Sequence, residues 1–202
     1  MSFGFVKSTH QLHCIRDAIL YAHSKNTVLF AAARNNGALE EVAYPASQGE
    51  VICINSSDGE GTPSTFNPSN KKYICSAVGE AVLSSWPHNE QRRMYGTSFA
   101  TPIAAGIAAA TMDYMEQASK GWSIDDRYMA ERIKTKDGIV AVFDKHLSYV
   151  RGGGDVRFLS PWRFFNKGAT RPPSLYPPAI QSKVQVHTSH LQHLRVCICI
   201  CI

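Results

Sequence analysis

The chain has 202 residues, 44% of them hydrophobic and 18% charged, with a net charge of +5. That is enough apolar material for one sizeable core. It has neither a basic run nor an aromatic–basic alternation, which argues against nucleic acid as a partner, and no apolar run approaches the ~18 residues that a membrane span needs. The opening Met-Ser-Phe-Gly-Phe-Val-Lys lacks the basic-then-apolar build of a secretory signal. Cys14, Cys53 and Cys75 stand singly in apolar segments, the habit of buried free thiols, while Cys197, Cys199 and Cys201 crowd the end. No disulfide framework is visible, so a reducing, cytoplasmic compartment is expected.

Met1 to Phe5 is short and apolar and reads as the end of a strand. From Gln11 to Ser24 the residues Leu12, Ile15, Ile19 and Ala22 recur at helical spacing, and Asn26 can end that helix. Thr27 to Ala33 then runs apolar without alternation, the pattern of a parallel strand covered on both faces. Strand, helix and strand make a βαβ unit, whose chemistry gathers at the carboxyl ends of its strands. Arg34-Asn35-Asn36-Gly37 falls there and, taken alone, is a turn.

Glu50 to Asn55 predicts a second strand, followed by the turn cluster Ser56-Ser57-Asp58-Gly59, in which Asp58 reads as structural. Ala77 to Pro87 predicts a strand and loop with a bend at Gly79. Tyr95-Gly96-Thr97-Ser98-Phe99-Ala100-Thr101-Pro102 comes next, opening an Ala-rich apolar helix predicted over 99–118, with Pro102 in its first turn. A serine there has its hydroxyl presented and its N–H free, at the positive end of the helix dipole. Such a position suits a nucleophile whose attack creates an oxyanion, although a lone serine before a helix is ordinarily an N-cap.

Gly121 can cap that helix, and Ser123-Ile124-Asp125-Asp126 has capping-box spacing for a second. Asp137-Gly138 starts a third, with Ile139, Val142, Phe143 and Leu147 on one side, and the aromatic run from Ser160 to Phe165 reads as core. Pro172, Pro173, Pro177 and Pro178 mark a linker. The tail then carries His187, His190 and His193 before its cysteines, without zinc-site spacing, and reads as a sticky, β-prone end rather than a metal site.

Gly96-Thr97-Ser98-Phe99-Ala100-Thr101-Pro102 closely resembles the nucleophile motif of the subtilases, the subtilisin-like serine peptidases. Ala31-Ala32-Ala33-Arg34-Asn35-Asn36-Gly37 is similar to that family's Ala-Ala-Gly-Asn-x-Gly segment, with Arg34 where the family often has a small residue. The resemblance implies a three-layer α/β fold, a mostly parallel sheet flanked by helices, and a serine endopeptidase. It puts the nucleophile on Ser98 and the oxyanion-hole amide on Asn35, and makes Ser2, Phe3 and Gly4 a strand that pairs with substrate backbone. It covers residues 1–118, leaving 119–166 as a helical annex and 167–202 as a Pro-rich linker and tail. No cofactor is implied, and the partner is a peptide or protein substrate.

A serine peptidase also needs a histidine to take the serine's proton and an aspartate to orient it. Upstream of Ser98 stand His10, His13, His23, His88, Asp17 and Asp58, none in a segment resembling the family's His or Asp motifs. His13 and Asp17, four apart on one helix, read as a solvated pair. The chain therefore resembles the second half of a subtilase catalytic domain, inactive alone, with further domains expected in a longer parent. The other reading is a non-catalytic subtilase-like binding or regulatory module of a larger intracellular protein.

Overall fold

The computed structural model describes residues 1–6, 10–69, 74–121, 124–150 and 156–162. The predicted linker and tail, the Ser123 end of the capping box and Arg163 to Phe165 of the aromatic run lie outside the described residues. Helix α1 (His13–Ser24) follows a short 3-10 turn and places Ile19 against the sheet. It stops where Asn26 turns to φ +58°, with Asn26 N–H donating to His23 O and Thr27 N–H to Ala22 O. These two bonds satisfy the last carbonyls as a left-handed cap does. The asparagine predicted to end the helix does so.

Strands β1 (Leu29–Ala32), β2 (Val51–Ser57) and β3 (Ile74–Val78) are parallel neighbours in one five-stranded sheet. β4 (Val82–Trp86) and β5 (Glu90–Met94) form a separate antiparallel hairpin, which leads into α2 (Thr97–Ala118). α3 (Ile124–Ile133) and α4 (Lys136–Lys145) follow, then β6 (Ser148–Val150) and β7 (Val156–Leu159). Thr135 caps α4, its hydroxyl accepting from Gly138 N–H at 3.1 Å. The stretch expected to be a helical annex thus also carries two strands. β7 pairs parallel with β3 and β6 antiparallel with β7, so that the sheet order is β1-β2-β3-β7-β6. Val-Arg-Phe-Leu is too short and too mixed to declare itself, and its pairing with β3 and β6 makes it a strand.

Helices cover both faces, giving the mostly parallel, three-layer α/β architecture the sequence predicts. One core sets Phe30, Ile52 and Ile54 against Ala100, Ala104 and Ala108 of α2, and continues through Ile133, Ile139 and Phe143 of α3 and α4. The small residues on α2 bring its axis close to the strands, the reason an Ala-rich helix belongs there. The opposite face packs Ile19 of α1 on Ala31 and Val51. Met1 lies along the outer edge of β1, its amino group donating to Phe30 O at 2.6 Å and its carbonyl accepting from Ala32 N–H at 3.0 Å. Phe5 makes an antiparallel bridge with Tyr44, so the expected strand at 1–5 is reduced to isolated backbone pairings at its two ends.

Burial raises the Cys53 thiol to about 12 and the fully buried Cys75 higher still, which keeps both protonated and inert. Cys14 departs from the expected buried thiol and is exposed. It borders an apolar cleft with Met1, Ile15 and Leu29 instead of entering the α1–sheet core. His146 sits partly buried after α4, its Nδ1 buried without a hydrogen-bond partner among the described residues, and desolvation, with Lys145 adding to it, lowers its pKa below 6.5. The unfolded chain then binds this proton more readily than the folded one, so stability falls as pH drops from 7 through 6.5. Urea unfolding at pH 7 and pH 5 should give a smaller acid loss for His146→Gln than for the unaltered chain; an unchanged loss would contradict this.

Candidate active site

The carboxyl end of β1 meets the amino end of α2. Ala33 N–H still bonds Ile54 O at 3.0 Å, and the chain leaves the sheet at Arg34. Asn35 then reaches across to the start of the helix. Its Oδ1 accepts from Thr97 N–H at 2.8 Å and from the Thr97 hydroxyl at 2.9 Å. Gly96, at φ +140°, makes this approach possible, since a Cβ there would stand 3.0 Å from Asn35 Nδ2. With Oδ1 committed to Thr97, the Asn35 Nδ2 is a donor that makes no hydrogen bond among the described residues.

Ser98 is the second residue of α2 and is half-buried. Its N–H belongs to the first turn, where intrahelical acceptors are missing, and it makes no bond among the described residues. Because the helix begins at Thr97, Pro102 lies in the second turn and not, as expected, in the first. A proline there removes the donor that would have closed onto the carbonyl four residues earlier. That carbonyl belongs to Ser98, and the Ser2 hydroxyl takes the vacant place at 3.0 Å. The Ser98 hydroxyl in turn points at Ser2 O, a long contact of 3.4 Å.

These groups share a cavity of about 330 Å³ lined by Ser2, Phe3, Gly4, Arg34, Asn35 and Ser98, with Phe5, Val6 and Thr97 among the others. Every residue singled out from the sequence for this site therefore lines one hollow. Volumes of this order suit a small ligand or a few residues of peptide. Among the described residues, no histidine or acidic residue lines it. His13 and Asp17 are both exposed on α1, and the His13 ring lies 4.4 Å from that of His10. Asp58 holds its own turn, Oδ1 accepting from Glu60 N–H at 2.9 Å and Thr62 N–H at 2.8 Å, as its structural reading requires.

One contributor was not read from the sequence as a part of this site, and another, Ser2, was read only for its backbone. Thr97 anchors the Asn35 carboxamide through both its N–H and its hydroxyl. The Ser2 hydroxyl completes the helix that carries Ser98, and Pro102 was the available signal, because a proline inside a helix orphans a definable carbonyl. Asn67, farther off, binds strand β2 like another strand: its Oδ1 accepts from Ser56 N–H at 2.9 Å and its Nδ2 donates to Ser56 O at 2.7 Å.

Comparison with known proteins bears on this geometry. The family model described as "Subtilase family" matches residues 1–141. The "Major intracellular serine protease" of Bacillus subtilis is 29% identical over 124 residues, 59% of this chain and 39% of the relative. "Thermitase" of Thermoactinomyces vulgaris is 31% identical over 105 residues, 52% of this chain and 37% of the relative. Among solved structures, a mutant of the protease domain of PatA superposes with a TM-score of 0.57 at 26% identity, covering 79% of this chain and 55% of that one. The chain thus spans about two-fifths of the length of these curated relatives.

Proposed function

The chain belongs to the subtilase family, and on that premise we propose that it supplies the nucleophile and the oxyanion hole of a serine endopeptidase. One observation supports the reading: Asn35, pinned through its oxygen to the residue before Ser98, lines the same cavity as Ser98, with its Nδ2 uncommitted among the described residues. Ser98 Oγ would attack a peptide carbonyl carbon while its proton passes to a base. The carbonyl π electrons move onto oxygen, where Asn35 Nδ2–H and Ser98 N–H receive the negative charge. Collapse of that intermediate expels the amine, which takes up the proton, and leaves an acyl ester on Ser98 for water to hydrolyse. Ser2, Phe3 and Gly4 would lie against the substrate backbone as an added strand.

The base and its orienting carboxylate would come from polypeptide outside these 202 residues. Without them Ser98 is an ordinary alcohol, and at most the residual ~10³–10⁴ over water from the oxyanion hole and binding would remain. Relatives named as intracellular serine proteases support a cytoplasmic setting and a peptide or protein substrate. No helix of the described residues is long and apolar enough to cross a membrane. The absence of a histidine or carboxylate from the described cavity wall favours a second reading, a binding or regulatory module that keeps the shape alone.

A chromogenic-peptide assay separates the two. The chain alone should give no hydrolysis, and the polypeptide that includes whatever its reading frame encodes upstream should hydrolyse the peptide. Ser98→Ala should abolish that activity. An inactive longer polypeptide, or activity that survives Ser98→Ala, would sink the peptidase reading.

A further inference from the structure

Arg34 is the residue of this site that the family resemblance leaves unaccounted for. It sits at φ +140°, a backbone conformation that costs a side-chain-bearing residue energy and costs glycine little. An arginine kept in such a place is held by something around it. Its side chain is only 15% exposed, and the guanidinium pairs at 3.0 Å with Glu40, whose own side chain is 46% exposed. Its backbone N–H lies 3.4 Å from the Thr97 hydroxyl, which ties it to the same turn as Asn35. Among the described residues that line the cavity, Arg34 alone carries a charge, set among neutral polar groups such as Asn36 and Ser98 and the apolar Phe3 and Ala43.

A guanidinium is a rigid fork matched to a carboxylate, and it stays charged at any working pH. With the Arg34 side chain largely withdrawn from solvent, its attraction for an anion is screened less than at an open surface. Glu40, half in solvent, is a partner that can be exchanged, since it regains water when released. We propose that Arg34 is a specificity-determining residue: it selects peptides with an aspartate or glutamate side chain in this cavity beside Ser98, the incoming carboxylate replacing Glu40. The inference rests on the reading of this cavity as the substrate site.

The test is equilibrium binding of N-acetyl-Ala-Ala-Pro-Glu-amide to the 202-residue chain, with the Gln and Leu counterparts as controls, followed by calorimetry. Binding needs no turnover, so it is independent of the missing base. The Glu peptide should bind about tenfold or more tighter than the Gln peptide, the margin of one charge-assisted pair. Arg34→Gly should erase that preference, Arg34→Lys should keep part of it, and Glu40→Gln should strengthen Glu-peptide binding by removing the competitor. Circular dichroism checks that each variant is folded. Equal binding of the three peptides, no measurable binding of the Glu peptide, a preference that survives Arg34→Gly, or tighter binding of all three once Arg34 is gone would each overturn the proposal. The last result would mean that Arg34 plugs the cavity. A Glu preference in a protein whose Ser98 never turns over leaves this inference standing and removes only the peptidase reading.

Discussion

Asn35→Asp should lower kcat of the catalytically complete polypeptide by about 10²–10³ while KM and the unfolding midpoint stay near those of the unaltered protein. The reason lies in how Asn35 divides its two polar atoms. Oδ1 holds Thr97 N–H and the Thr97 hydroxyl, and a carboxylate oxygen can do the same at the same place. Nδ2, the atom assigned to the developing oxyanion, becomes an oxygen that repels it. Asn35→Ala removes both functions. It should lose comparable turnover and also destabilise the fold by about 1–3 kcal/mol, because Thr97 N–H is left partly buried without its acceptor. The subtilisin asparagine is the reference case for such a donor, so the magnitude is carried over from there. Near-normal turnover by Asn35→Asp would show that the carboxamide only braces the turn.

Gly79→Ala, just past the end of β3, should cost about 2–3 kcal/mol of stability. A Cβ at that position would lie 2.4 Å from Ser56 Oγ and 2.7 Å from Gly96 O, and neither neighbour is the loose end of a flexible side chain. Gly79 N–H bonds Ser57 O at 2.9 Å and its carbonyl accepts from Gly96 N–H at 2.8 Å, so it joins the end of the sheet to the turn before Ser98. Relieving the clash must move one of those partners. The cost should therefore appear in catalysis as well as in folding. Gly49→Ala is the control, since a methyl there meets nothing within 4 Å. Urea midpoints for the two variants measure the contrast, and indistinguishable midpoints would contradict it.

What the sequence disclosed was local. The serine, its glycine and the small residues behind it occupy one string, and the Asn35 segment occupies another, so each could be read without knowing where the other went. Asn26 was legible because a left-handed turn admits few residue types, whereas the bend expected at Gly79 falls on Glu80 and Ala81, and Gly79 is instead a point of close approach. The hairpin of β4 and β5 was not: β5, Glu-Gln-Arg-Arg-Met, is largely exposed and offers no apolar alternation to read. Nor was β7, whose identity as a strand rests on pairing with β6 and with β3, some eighty residues earlier. Cys14 misled because its neighbours are apolar, whereas burial depends on which face of α1 meets the sheet. Pro102 misled by a few residues, and the misplacement hid the link between Ser98 O and the Ser2 hydroxyl.

The central claim is that one oxygen, developing charge on a substrate held by Ser98, is met by both the Asn35 amide and the Ser98 N–H. A crystal structure of the complete polypeptide with a peptide boronic acid tests this most directly. The account predicts a tetrahedral boron on Ser98 Oγ with one of its oxygens about 2.7–3.1 Å from both Asn35 Nδ2 and Ser98 N. A boronate bonded elsewhere, or bonded to Ser98 with that oxygen turned away from Asn35, would contradict it.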